Sequence, residues 1–229
     1  MTFDPDAVET VTVDSYGTLV DPAAAEDAVA GYADDVDSLL SHWRANYLSY
    51  VMIANDVDDY RPFDELIGAA LEQALGAHGV ETTPAEREEI LSVYDDLDPF
   101  DDVRDGLARL SADLDVYVLS MGTPEMLEEM LEGCGIEAYV EDAISVHEIR
   151  TFKPEPAVYE HGAERTDTPI ENVAHVAGPS FDVRGAMHAG MQGVWVDRTG
   201  EPWDPWFPEP DLAVASLHDL ADALDVPAR

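Results

Sequence analysis

The 229-residue chain contains one cysteine, Cys134, and one lysine, Lys153. A single thiol excludes an internal disulfide and a cysteine-built zinc site. Basic residues are scarce altogether: 11 Lys and Arg stand against 50 Asp and Glu, a formal net charge of −39. A surface so negative repels polyanions, which argues against nucleic acid and anionic membrane as partners. No apolar run approaches the ~20 residues of a membrane span. Met1–Asp6 lacks the basic-then-apolar order of a secretory signal, so a cytoplasmic protein is expected. Internal repeats and low-complexity tracts are absent too. What the chain does have is 46% hydrophobic residues, enough for a packed core. Its length suits one large α/β domain, or a core carrying an inserted module.

The acids are dispersed, as in Asp34-Asp35, Asp58-Asp59, Glu88-Glu89, Asp95-Asp96 and Asp101-Asp102. Self-repulsion on this scale strains a fold in dilute salt. At molar salt the Debye length shrinks to ~3 Å and the strain largely disappears. Dispersed acids and a near-absence of lysine together predict a salt-adapted protein in a high-salt cytoplasm. The charge therefore speaks of habitat more than of chemistry.

Short β-branched runs alternate with helical patterns, which predicts a doubly wound, Rossmann-like parallel sheet. The expected strands are Thr10–Val13, Val116–Leu119, Ala143–Val146, Val173–Val176 and Gly193–Val196, with Leu212–Val214 at an edge. Between the first two there is no convincing strand. Helical periodicity appears instead at Val36–Ala54, Phe63–His78 and Pro84–Leu97. A connection that long must be a structure of its own. The expectation is an all-helical cap, residues 22–97, inserted into a core of residues 1–21 and 98–229. Pro202–Pro210, with Trp203, Trp206 and Phe207, reads as a loop packed on the surface.

Parallel sheets bind ligands at the carboxyl ends of their strands. Three predicted strands lead there to Asp14, Ser120 and Asp182, and Lys153 follows a fourth. Each residue alone has a bland reading: a turn aspartate, a helix cap, a first-turn acid, a surface lysine. Together, an acid, a hydroxyl, an ammonium and a second acid at one sheet edge make a candidate catalytic site. The seven histidines show no metal-ligand spacing. His175, inside a strand, reads as core, and Cys134 as a buried small residue.

Four ordered segments carry a resemblance: Val13-Asp14-Ser15-Tyr16-Gly17-Thr18-Leu19, Leu119-Ser120-Met121-Gly122, Phe152-Lys153-Pro154-Glu155-Pro156 and Gly178-Pro179-Ser180-Phe181-Asp182. They resemble the motifs of the haloacid dehalogenase superfamily, and more closely those of its L-2-haloacid dehalogenase (type II) branch. Trp43-Arg44, Pro99-Phe100-Asp101-Asp102-Val103, Ser145–Arg150 and Asp197-Arg198-Thr199-Gly200 extend the likeness over nearly the whole chain. The resemblance implies hydrolysis of short 2-haloacids, with inversion, through an ester formed on Asp14. It implies that Lys153 keeps Asp14 ionised and that Asp182 orients the hydrolytic water. It also implies that Ser120, Gly122 and Thr18 grip the substrate carboxylate, that Arg44 binds the halide, and that Tyr16 and Tyr159 line the pocket. A homodimer is implied as well.

Tyr16 discriminates between branches. Superfamily phosphatases place an acid two residues after the nucleophile, to protonate an alkoxide; a halide needs no proton. Pro179 stands where those phosphatases carry a magnesium-binding aspartate, and phosphoryl transfer leans on that metal. No cofactor and no essential metal are expected. The chain also departs from the branch. Met121 replaces an asparagine that helps bind halide, and Ala177-Gly178-Pro179 removes two hydroxyls and an amide that orient Lys153 and Asp182. Losses of this kind cost several kcal/mol of transition-state stabilisation. Two alternatives stay open at this point: a hydrolase of another small ester or phosphate monoester, and a ligand-binding protein that keeps the fold without turnover.

Overall fold

The first strand, β1 (Thr10–Val13), is buried at every position. Alternate valine and threonine suit a strand covered on both faces. It pairs in parallel with β2 (Asp115–Ser120) on one side. On the other it pairs with β4 (Val173–Ala177), and β3 (Asp142–Ser145) lies beyond β2. With β5 (Gln192–Val196) and β6 (Leu212–Val214), the computed structural model forms a six-stranded parallel sheet, ordered 3-2-1-4-5-6. It describes residues 3–22, 24–33, 35–95 and 97–227; Asp34 and Asp96 of the acidic pairs lie outside that set.

Between β1 and β2 the chain forms α1 (Ala24–Val29), α2 (Val36–Val57), α3 (Phe63–Ala77), α4 (Pro84–Leu91) and α5 (Val103–Leu110). The crossovers that follow are α6 (Pro124–Cys134), α7 (Pro156–Arg165) and α8 (Ser180–Ala189), with α9 (Leu217–Ala223) last. One sheet face packs Val11, Val13 and Val118 against Leu107, Met130 and Leu220. The other packs Leu119 and Ile144 against Val158, Tyr159 and Ala186. The fold is thus a doubly wound α/β sheet, and the helical insertion sits over its carboxyl edge as a cap.

Leu39, Trp43, Val51 and Ala54 form the buried stripe of α2. Trp43 donates its indole N–H to Ile67 O (2.9 Å), which fixes α2 to α3. The cap leaves and rejoins the core at one place: Asp21 N donates to Asp98 O (3.0 Å), and Phe100 N to Leu19 O (3.0 Å).

Four details depart from the sequence expectation. The short helix α1 adds to the periodic segments. The helix expected over Pro84–Leu97 ends at Leu91 and continues as a 3-10 turn, Ser92–Asp95, where Ser92 Oγ donates to Glu89 O (2.8 Å). The third strand is shifted back one residue, because Ser145 Oγ accepts the His147 N–H (3.1 Å) and starts a turn at Val146. In the Pro202–Pro210 loop, Trp203 packs on Trp195, but Trp206 stands 84% exposed. Among the described residues no helix is long and apolar enough to cross a membrane.

Candidate active site

Asp14 is the first residue beyond β1, and its N–H donates to Val176 O (2.9 Å). That bond holds it at the carboxyl edge, between the ends of β2 and β4. The carboxylate is buried. Its Oδ2 accepts from the Thr18 hydroxyl (2.7 Å) and its Oδ1 from Lys153 Nζ (2.8 Å). Thr18 Oγ1 also accepts the Gly178 N–H (2.9 Å), which ties the Asp14 turn to the loop before α8. The approach is close: a Cβ on Gly178 would stand 2.2 Å from Gly17 O, so only glycine fits.

Lys153 has no exposed surface. Its three N–H groups go to Asp14 Oδ1, to Asp182 Oδ2 (2.7 Å) and to Leu119 O (2.7 Å), which saturates the ammonium. Burial pushes its pKa down, but Asp14 and Asp182 outweigh burial and the net shift is upward. At Asp182 burial pushes up, while Lys153 and then His175 hold the carboxyl well below the usual range. Asp182 Oδ1 accepts from the Tyr159 hydroxyl (2.7 Å), which also reaches Asp182 O (3.1 Å).

His175 reads from sequence as core; it is core, and it also touches the site. Its Nε2 lies 3.1 Å from Asp182 Oδ1, with the N–H direction bent away from that oxygen. Its Nδ1 lies 2.9 Å from Thr12 Oγ1. A carboxylate can only accept, so Nε2 carries the hydrogen and Nδ1 accepts from Thr12. Thr12 and His175 face one another in the β1–β4 register, a signal visible only once that pairing is known. Replacing His175 with phenylalanine keeps the bulk and removes the N–H. The expected result is a kcat about tenfold lower with little change in KM, read by steady-state kinetics.

Ser15 is the other residue that sequence reading missed. Ser15 Oγ lies 2.6 Å from Ser120 Oγ, which also accepts the Gly122 N–H (3.0 Å). Ser120 is fully buried. A substrate carboxylate reaches it only by exchanging one of these contacts. Met121 is half-buried among apolar residues.

Tyr16 packs on Phe63 (6.3 Å) and Tyr94 (5.9 Å), bridging core and cap. Its hydroxyl is buried without a partner. Burial first, then Asp95 and Asp14, push its pKa far up, so it remains an O–H donor. Neither Tyr16 nor Tyr159 borders the open cleft. Tyr159 lies wholly beneath the site, turned there by its bonds to Asp182. The cleft, about 530 Å³, runs from Gly17 and Gly178 outward between α2 and the loop after β5. Arg44 does border it, exposed, with no ion pair or hydrogen bond among the described residues.

The chain is similar to known proteins over nearly its whole length. The chain is 28% identical to (S)-2-haloacid dehalogenase 4A of Burkholderia cepacia over 94% of each sequence. It is 29% identical to haloacetate dehalogenase H-2 of Moraxella sp., over 96% of this chain and 99% of that one. The solved L-2-haloacid dehalogenase of Xanthobacter autotrophicus with chloropropionic acid covalently bound superposes with a TM-score of 0.89 at 26% identity. That match covers 96% of this chain and 100% of the other. The family model for haloacid dehalogenase-like hydrolases matches residues 8–190, from the start of β1 through Asp14, Lys153 and Asp182 to the end of α8. By this continuous match, and by the sheet that carries it, the chain belongs to the haloacid dehalogenase-like hydrolase family.

Proposed function

We propose that the protein hydrolyses the carbon–halide bond of short 2-haloacids, without a metal, through an ester on Asp14. One observation carries this reading: the Asp14 carboxylate, fixed by Lys153 and Thr18, has a tyrosine and not an acid two residues on. An Asp14 oxygen attacks the α-carbon from the side opposite the halide. The C–O bond forms as the C–X bond breaks, the configuration inverts, and the halide leaves toward Arg44. Lys153 supplies fixed positive charge beside the nucleophile. Pro179 offers no side-chain ligand where related phosphatases bind magnesium.

Esterification removes the charge of Asp14, so Lys153 then leans wholly on Asp182. Water adds to the ester carbonyl of Asp14, the 2-hydroxy acid departs, and the carboxylate returns with release of one proton. The Tyr159 hydroxyl holds Asp182 in place through this step, with the His175 ring packed 3.1 Å from its Oδ1. The Tyr16 O–H, buried and unpartnered, is a donor for the substrate carboxylate. The same reading includes a high-salt cytoplasm, from the dispersed acids, and a homodimer. Ile53 and Val57, 52% and 62% exposed on α2, support the latter.

The test is lactate formation from separate L- and D-2-bromopropionate in molar KCl, with and without EDTA. D-Lactate from the L-substrate alone, indifferent to EDTA, is expected. A folded protein that makes no lactate, or that instead cleaves a phosphate monoester only with added Mg²⁺, overturns the proposal.

A further inference from the structure

The cleft that opens outward from Gly17 and Gly178, next to the turn that carries Asp14, is larger than a short haloacid needs. At the ~30 Å³ that one water claims in the liquid, a six-atom acid such as 2-bromopropionate fills about a third of it. A volume of about 530 Å³ falls in the range of pockets for drug-sized ligands. Its walls are aromatic on both sides: Tyr47 and Tyr94 from the cap, Phe100, Trp195 and Trp203 from the core.

The two tryptophans are fixed and have spent their polar groups. Trp195 donates its indole N–H to Gly178 O (3.0 Å), and Trp203 donates to Pro208 O (3.1 Å). Their rings lean together at 5.4 Å and 60°. With no free N–H, this wall offers a ligand only ring faces and edges, which favour offset or edge-on packing with another ring. The wall is also linked to the nucleophile. Gly178, whose carbonyl holds Trp195, gives its N–H to Thr18, and Thr18 holds Asp14. Arg44 on the same cleft offsets the repulsion of a carboxylate by a chain of net charge −39, whereas Arg198 there is already paired with Asp102 (2.6 Å).

We infer that the preferred substrate is a 2-haloacid with an aryl-sized apolar substituent, whose ring rests against Trp195 and Trp203. The inference rests on the dehalogenase reading for its chemistry, but its binding half can be measured without turnover. A flat, rigid group loses little freedom on entering a flat, rigid slot, so a phenyl group gains more there than a flexible alkyl chain of similar area.

Two measurements test it. The first compares kcat/KM for 2-bromo-3-phenylpropionate, 2-bromooctanoate and 2-bromopropionate. The phenyl acid is expected to exceed the three-carbon acid by about tenfold and to exceed the octanoate as well. In Trp203→Ala the phenyl advantage falls to within about threefold, and Trp203→Phe restores most of it. Equal or lower kcat/KM for the phenyl acid, or a larger gain for octanoate, overturns the inference while leaving dehalogenation standing. The second measures quenching of tryptophan fluorescence by 3-phenylpropionate and by propionate, neither of which can react. Tighter binding of the phenyl acid, weakened in Trp203→Ala, supports the slot even if no bromide is ever released. Equal binding of the two acids sinks it.

Discussion

Asp14→Asn is expected to reduce bromide release from L-2-bromopropionate by at least ~10⁴-fold, with the melting temperature shifted by only a few degrees. The amide is nearly isosteric with the carboxylate and can still accept from Lys153 and Thr18 through its oxygen. What it lacks is the anionic oxygen that, in the proposed mechanism, forms the bond to carbon. Lys153 keeps Asp182 and Leu119 O as partners, so the buried ammonium is not orphaned. The wild-type protein offers a second readout. In one turnover run in ¹⁸O water, the new hydroxyl of lactate carries ordinary oxygen, taken from Asp14, and the label enters the aspartate. Residual activity within tenfold of wild type, or solvent oxygen in first-turnover lactate, would mean that water attacks the substrate directly.

Lys153→Met is the second large effect, and it reaches stability as well as turnover. Activity is lost with the positive charge, and two buried carboxylates face each other without a cation. Breaking such a group by removing one partner costs about 3–5 kcal/mol, read as a fall in melting temperature at neutral pH. The dependence on pH separates this from ordinary cavity formation. In the wild type the Asp182 pKa is depressed, so its contribution is present above the unfolded value near 4 and fades as pH falls through the lower folded one. The Lys153 pKa is raised, so its contribution is present below about 10.4 and fades as pH rises through the higher folded one. The ion group therefore adds no slope between about pH 5 and 9. In Lys153→Met the burial of Asp182 loses its largest counterweight. Protonation then favours the folded state, and the variant regains stability on acidification. A variant whose deficit stays constant from pH 8 to pH 5 would show that the lysine contributes bulk, not charge.

How much of this was legible in the sequence follows the range of the interactions. The strands announce themselves because a sheet covered on both faces needs unbroken β-branched runs. Asp14, Lys153 and Asp182 stand out because charged residues at the ends of such runs have few structural reasons to be there. The length of the connection after β1 forces a separate helical body. The contacts that complete the site are different in kind. His175 meets Asp182, and Ser15 meets Ser120, only through the lateral pairing of strands far apart in sequence. Tyr159 turns beneath the site because its hydroxyl finds Asp182, a choice of rotamer that no local pattern records. The end of α4 is a competition between one serine hydroxyl and continued helix, settled within a single turn. Gly178 is the reverse case. As a departure from the branch it reads as a lost hydroxyl, yet the structure has no space there for any side chain.

The two hydrogen bonds that join the ends of the cap, Asp21 to Asp98 and Leu19 to Phe100, divide the gene as well as the fold. A segment whose ends already touch can be exchanged for another of different length without moving the sheet, because the rest of the chain sees only a closed loop. Arg44, Tyr47 and Tyr94 travel with that segment, while Asp14, Lys153 and Asp182 stay behind. The cap wall of the cleft is thus inherited on one cassette, and the acid–lysine–acid group with the Trp195–Trp203 wall on another. A library that recombines cap segments at these two junctions should redirect what the protein accepts while holding constant what it does.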